Sequence, residues 1–308
     1  MNLNYFNFLL PDSLKQIVHD AHLQRGKSYR GRFAPSPSGT LHLGNLRTAL
    51  LSWLKARSVG GEWFLRIDDI DRPRNCPEAI ESLQSDLLWL GLSWDGPVIF
   101  QSDRLNIYEL VISTLKDKGL IYPCYCSRSI LMNERNRKIK KFIYPGTCRE
   151  QNLPWDKYEG RFPSLRLRVS AKYAQVSGDL ILRRSDNYIA YNLATVVDEI
   201  LLGITEVVRG NDLHEVKSSQ LAIMDILYKA DIKYKHVPLL MNEKGIKLSK
   251  RDSGFGLDSL RSQGKSSSQC IGYLASSIGL VENDSSLSAE ELLKIIIDNK
   301  KDFESLFR

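Results

Sequence analysis

Apolar positions in the first third of the chain follow two rhythms in turn. GRFAPS reads as a strand entering a turn, and LHLGNLRTALLSWLKARSVG keeps its apolar residues at helical spacing until Gly60 and Gly61. WFLRIDDID is a second strand-like run that ends in carboxylates. PEAIESLQSDLLWLGL is a second helix, with Pro77 in the first turn, where a missing N–H is tolerated. Strand–helix–strand–helix alternation predicts an α/β fold with a parallel sheet. Ligands of such sheets bind beyond the carboxyl ends of the strands, which is where PSPSGTLHLGN and DDID fall.

The alternation breaks over residues 121–163, where clustered cysteines, a basic run and turn residues predict an inserted subdomain. LRLRV and DLILRR return to strand-like patterning, followed by YIAYNLATVVDEILLGITEVVRGNDL. Ser218 to Ala230 is helical in pattern, and KHVPLLMNEKGIKLSKRDSG predicts a strand, a turn and a loop. The tail carries two helices, the second opened by Ser288 and Glu291 in capping-box spacing. At the front, Pro11, Asp12 and Ser13 introduce Leu14, Ile17, Val18 and Ala21 at helical spacing. The expected division is an extension at 1–29, a core in two halves at 30–120 and 164–257, the insertion at 121–163, and a short helical region at 258–308. For the extension, a docking helix and an early start codon are both open.

A 43% hydrophobic and 26% charged composition over 308 residues is that of an ordinary globular protein with one large or two modest domains. The balance of 43 basic against 36 acidic residues gives +7 and a pI near 9.0, which suits a polyanion such as RNA without selecting it. No apolar window approaches a membrane span, and MNLNYFNFLLPDS has neither a basic leader nor a cleavage site, so no membrane partner and a cytoplasmic address are expected. Five cysteines, three of them clustered, point to a metal before disulfides. Cys124, Cys126 and Cys148 can share one zinc with a fourth ligand from nearby; reduced structural thiols are the alternative. Cys76 and Cys270 stand alone as ordinary thiols.

Gly39 and Gly44 allow close backbone approach to a bulky ligand, and a helix starting near His42 presents N–H groups to phosphate. His42 adds a donor, although a histidine that merely caps a helix fits equally well. In GIKLSKRDSG, Lys247, Lys250 and Arg251 suit a departing pyrophosphate, or form a solvated basic loop. The run NERNRKIKK either follows an RNA backbone or is a solvated insertion.

RFAPSPSGTLHLGN, RIDDID and KLSKR in this order, extended through YNLATVVDEILLGITEVVRGNDL, resemble a class I aminoacyl-tRNA synthetase of the glutamyl type over roughly residues 30–260. The resemblance implies a Rossmann-type catalytic core, ATP with magnesium, and an aminoacyl-adenylate intermediate. Only 57 or so residues follow KLSKR, too few for the anticodon-reading domain of a full-length member. The chain is therefore similar to the truncated branch, which attaches glutamate to queuosine at the wobble position of tRNA(Asp). A monomer is expected.

The resemblance implies His42 and Lys250 as catalytic residues, and His42, Gly44, Asn45, Lys247 and Lys250 as the ATP site. Adenine is expected near Leu239 and Leu240. It places glutamate among Arg32, Phe33, Ala34, Pro35, Ser36, Asp68, Tyr191 and Arg209, with the two guanidinium groups on the γ-carboxylate and Asp68 toward the ammonium. An ion pair from Arg209 to Asp212 or Glu206 is the structural alternative. The zinc set carried over is Cys124, Cys126, Tyr144 and Cys148, one structural ion per chain. Two departures stand out: Asp68 is a shorter carboxylate where the family commonly has Glu, and Asn45 stands where the general class has a second His. A compact enzyme charging the tRNA 3′ end, another nucleotidyltransferase and a catalytically silent RNA-binding paralogue are the rival readings.

Overall fold

The computed structural model describes residues 9–127, 143–240 and 256–307. The chain folds as two compact units. One consists of Met1–His22, Asp103–Gly203 and Glu215–Ala230; the other of Leu23–Ser102, Ile204–His214 and Asp231–Arg308.

Helix α1 (Lys15–Arg25) is the helix predicted near the N-terminus; Leu14, Val18 and Ala21 are buried, while Ile17 is exposed. Strand β1 (Arg30–Phe33) leads through the proline-rich turn into α2 (Leu43–Arg57), which returns to β2 (Glu62–Ile67). Helix α3 (Pro77–Trp89) then crosses back to β3 (Ile99–Phe100). The three strands are parallel, in the order β1–β2–β3, with Arg32 opposite Phe64 and Ile67 opposite Phe100. Trp63, Leu65 and Ile67 of β2 and Leu46, Leu50 and Leu54 of α2 have no exposed surface, as expected of a sheet covered by its crossover helices.

The chain then builds the other unit: α4 (Leu105–Asp117), β4 (Ile121–Cys124), β5 (Ser164–Leu167), α5 (Ala171–Ala174), β6 (Leu180–Arg183) and α6 (Tyr191–Leu201). Its strands form an antiparallel sheet in the order β4–β5–β6, with Ile121 opposite Leu167 and Cys124 opposite Ser164. Asp198 is fully buried in α6, accepting from Arg104 Nε at 2.6 Å and the Tyr108 hydroxyl at 2.8 Å, so its charge is paired and hydrogen-bonded.

Strand β7 (Glu206–Gly210) re-enters the parallel unit, and α7 (Lys217–Leu227) precedes β8 (Lys233–Val237), which pairs with β7 in parallel. The helical pattern to Ala230 stops early because Tyr228 turns extended, at φ −168°, and its hydroxyl meets His22 Nδ1 at 2.8 Å. Strand β7 lies beside β1, where Thr205 N–H donates to Arg30 O at 2.9 Å. Successive strands therefore run outward from β1 on one side and from β7 on the other, a topological switch point.

Helices α8 (Leu257–Ser262), α9 (Ser267–Ser276), α10 (Ala289–Asp298) and α11 (Lys300–Ser305) complete this unit. The tail thus holds more helices than the two expected. The serine run at 266–268 opens α9 with its own capping box, Ser266 with Gln269, alongside the expected pair Ser288 and Glu291 on α10. Leu274, Leu292 and Phe303 join the core that buries α2.

Candidate active site and metal centre

At the switch point, Arg32 on β1 and Arg209 on β7 are both buried. Arg32 donates to the Val208 carbonyl at 3.3 Å, the peptide next to Arg209. Arg209 lies opposite His236 in the ladder and donates from Nε to its Nε2 at 3.2 Å. The Arg209 guanidinium also sits 4.9 Å from the centre of the Tyr234 ring. Glu206, three residues back on the strand and so on its other face, accepts from the Tyr29 hydroxyl at 3.3 Å. Burial pushes the Glu206 carboxyl above the ordinary carboxylate range.

Beyond β1, Phe33 stacks on Trp63, Ala34 is half-buried, Pro35 is buried and Ser36 is exposed. The Pro35 carbonyl accepts from Asp68 N–H at 3.0 Å, which ties the ends of β1 and β2 together. The Asp68 carboxylate is clasped by Arg66, with Nε to Oδ1 at 2.7 Å and Nη2 to Oδ2 at 3.2 Å. Both side chains are almost wholly enclosed. Asp69 instead holds the chain after β3, accepting from Ser102 N at 2.8 Å and its hydroxyl at 2.6 Å.

His42 is the N-cap of α2, and its Nδ1 accepts from Asn45 N at 3.3 Å. A Cβ at Gly44 would lie 2.9 Å from His42 Cε1, so only glycine leaves room for the ring folded back over the helix start. That same position lies 3.9 Å from Leu240 Cβ, and His42 forms an isolated bridge with Gly256. Leu240 and Gly256 thus both lie near the start of α2; Lys247, Lys250 and Arg251 lie outside the described residues, as does NERNRKIKK. Arg32, Phe33, Ala34, Pro35, Ser36, His42, Gly44, Asn45, Asp68 and Arg209 all belong to the parallel unit. Tyr191 belongs to the other, as the first residue of α6.

That other unit also holds the cysteine cluster. The thiol sulfurs of Cys124, Cys126 and Cys148 all lie within 4.8 Å of one another. Cys126 Sγ is 3.4 Å from Cys148 Sγ, and the Tyr144 hydroxyl is 3.4 Å from Cys124 Sγ and 3.8 Å from Cys126 Sγ. Zinc–sulfur bonds of about 2.3 Å in a tetrahedron require edges of about 3.8 Å, so three thiols and a phenol at these separations fit one zinc with little rearrangement. Tyr144 is fixed from several sides. Its oxygen accepts from Cys148 N at 2.9 Å, and the Arg166 guanidinium lies 3.7 Å from its ring centre. Gly178, at φ +64°, approaches so closely that a Cβ would lie 2.6 Å from the Tyr144 carbonyl oxygen. Burial pushes the Cys126 thiol up to about 12 and Tyr144 well above its ordinary range. Hydrogen bonds, from the Tyr144 hydroxyl foremost, outweigh burial at Cys148 and bring it down.

The model of the catalytic domain of class I tRNA synthetases (E and Q) matches residues 28–302. A glutamyl-Q tRNA(Asp) synthetase of Prochlorococcus marinus (strain MIT 9313) is 53% identical over 92% of this chain and 93% of its own length. The protein of the same name from Synechococcus sp. (strain CC9605) is 48% identical over 92% and 95%.

This chain belongs to the glutamyl-Q tRNA(Asp) synthetase family.

It is a ligase with the class I tRNA synthetase fold. A crystal structure of a glutamate tRNA ligase from Elizabethkingia meningosepticum superposes with a TM-score of 0.71 at 24% identity, covering 87% of this chain and 64% of that one. The chain thus spans under two thirds of that longer protein, and the likeness establishes the fold alone.

Two residues close to the predicted ligands were not singled out from sequence. Arg66 stands two positions before Asp68 on the same face of the chain, so strand alternation offered a signal for the pair. His236 carried none, because its contact with Arg209 depends on the register of two strands joined by a helix.

Proposed function

We propose that this chain activates glutamate with ATP and transfers the glutamyl group to queuosine at the wobble position of tRNA(Asp). The observation that carries this reading is 53% identity, across nine-tenths of both chains, to a protein of that name. The glutamate α-carboxylate attacks the α-phosphorus of ATP, delivered with magnesium, as the bond to pyrophosphate breaks. A hydroxyl of the queuosine cyclopentenediol then attacks the adenylate carbonyl; AMP leaves and the hydroxyl proton passes to solvent or phosphate.

No protein nucleophile is needed, so the chain contributes position and charge. In this reading Arg32 and Arg209 take the γ-carboxylate, while Asp68 sets the negative charge facing the ammonium. Because Arg66 already clasps Asp68, the ammonium meets a carboxylate that is fixed rather than free to reach, which suits its short side chain. His42, Gly44 and Asn45 receive the phosphates at the α2 start, with Lys247 and Lys250 opposite. Zinc held by Cys124, Cys126, Tyr144 and Cys148 supplies structure to its subdomain. We further read the protein as a cytoplasmic monomer; among the described residues no helix is long and apolar enough to cross a membrane.

The test is incubation with ATP, labelled glutamate and tRNA(Asp) with or without queuosine, followed by fragment mapping. Label in the anticodon fragment of the queuosine-containing tRNA alone is expected. Label on the terminal adenosine would overturn the assignment in favour of 3′-end charging.

A further inference from the structure

The unit that carries the cysteine cluster has a second concave feature which the reaction above does not use. Between α4 and the 155–163 segment lies a pocket of about 250 Å³. Ile112, Pro163 and Leu165 contribute apolar surface, while Trp155 and Phe162 offer aromatic faces. Phe162 is 42% exposed.

Cations accompany the rings. Lys116 Nζ lies 4.5 Å from the centre of the Trp155 ring and Lys157 Nζ 6.0 Å from that of Phe162. Arg183 and Glu109 form an ion pair within the lining, which supplies donors and an acceptor side by side. The Arg183 Nε is buried and meets no acceptor among the described residues. Ser113 and Asn187 add further neutral hydrogen-bonding groups.

We infer that this pocket takes one unstacked base of the tRNA substrate, an inference that rests on the proposed transfer to tRNA. Its volume falls below the ~300–1,000 Å³ of drug-sized ligand sites, which suits a single base better than a whole nucleotide. Aromatic faces stack on any base, the Arg183–Glu109 pair and neutral side chains meet its edge, and Lys116, seated against the Trp155 ring, outweighs the neighbouring Asp156 for a flanking phosphate only through its longer reach. Aromatic faces, a donor–acceptor pair and a lysine within one pocket are together the contacts that a single-stranded nucleotide uses. Transfer to a wobble base also requires the anticodon loop to be opened, so neighbouring bases become available to be held.

Trp155→Ala and Phe162→Ala, measured by filter binding to tRNA(Asp), test this. Each is expected to weaken binding roughly tenfold, the loss typical of one stacked base. The dependence of log Kd on log salt should keep its slope, because no phosphate contact is removed. The conservative Trp155→Phe variant should stay within about twofold of the parent, and the KM for tRNA should rise in the alanine variants while that for glutamate holds. Unchanged binding in both alanine variants, or a shallower salt slope, would overturn the inference. So would quenching of Trp155 fluorescence by free AMP and not by tRNA, since the pocket would then be a mononucleotide site. Should the parent protein bind tRNA without transferring glutamate, the proposed reaction fails and the binding comparison still decides the pocket.

Discussion

Arg209 and His236 face each other across the parallel β7–β8 pair, the arginine Nε–H donating to the imidazole Nε2 at 3.2 Å. In this contact the imidazole Nε2 is the acceptor. The contact fixes the roll of the guanidinium, and Tyr234 supports its face. His236→Ala is expected to raise the KM for glutamate about tenfold, in line with losing a hydrogen bond from a charged donor, and to leave the KM for ATP unchanged. His236→Gln, which keeps an acceptor, should recover part of the loss. Steady-state pyrophosphate exchange with each substrate varied in turn makes the measurement; equal rises in both KM values would point to a general structural effect instead.

Gly44→Ala brings a Cβ to 2.9 Å from His42 Cε1 and must push the ring away. Alanine suits a helical first turn, so the melting temperature should move little. Adenylate formation should fall by about 100-fold, the scale expected for a displacement of about 1 Å in a positioned group. Exchange rates beside thermal melts check both parts, and an unaffected rate would remove His42 from the reaction.

The Arg66 and Asp68 side chains are almost wholly buried. Arg66→Met removes the two arginine hydrogen bonds from the carboxylate and is expected to cost about 3–5 kcal/mol in urea unfolding, the loss typical of breaking a buried pair from one side. Combining it with Asp68→Leu should recover most of that stability while abolishing glutamate-dependent exchange. If the single and double variants unfold alike, the pair is not what holds the β2 end.

The Cys126 thiol, pushed up to about 12 by burial, keeps its proton at neutral pH until a metal binds. Zinc has to displace that proton, so binding releases acid and strengthens as pH rises. A competition titration against a zinc indicator between pH 6 and 8 should show affinity climbing with pH, and Cys126→Ala should drop the bound zinc well below one per chain. Affinity independent of pH would mean that the thiols are already ionised before the metal arrives.

Local chemistry was legible in the sequence wherever it was local. Pro77 at the first turn of α3, Ser288 with Glu291 at α10, and the Cys-x-Cys pair at the end of β4 each announce themselves within a few residues. The glycine at 44 was read as room for a ligand, and the structure shows that it makes room for His42 as well. Contacts between distant segments were not legible. Nothing near Tyr144 in sequence points to Gly178 or Arg166, which reach it only through the antiparallel β4–β5–β6 sheet. The antiparallel order itself was hidden, because LRLRV and DLILRR alternate equally well in either kind of sheet.

Helix α2 begins at His42, and its other face rests on the tail. Arg47 is buried and donates to Pro238 O and to Ser277, Lys55 pairs with Glu304, and Phe303 closes the same core. A fragment that stopped at residue 256 would therefore lose the packing partners of α2. The last fifty residues act as a splint along the helix that His42 caps, and in the proposed reading shortening them would loosen the phosphate-binding end of that helix from behind.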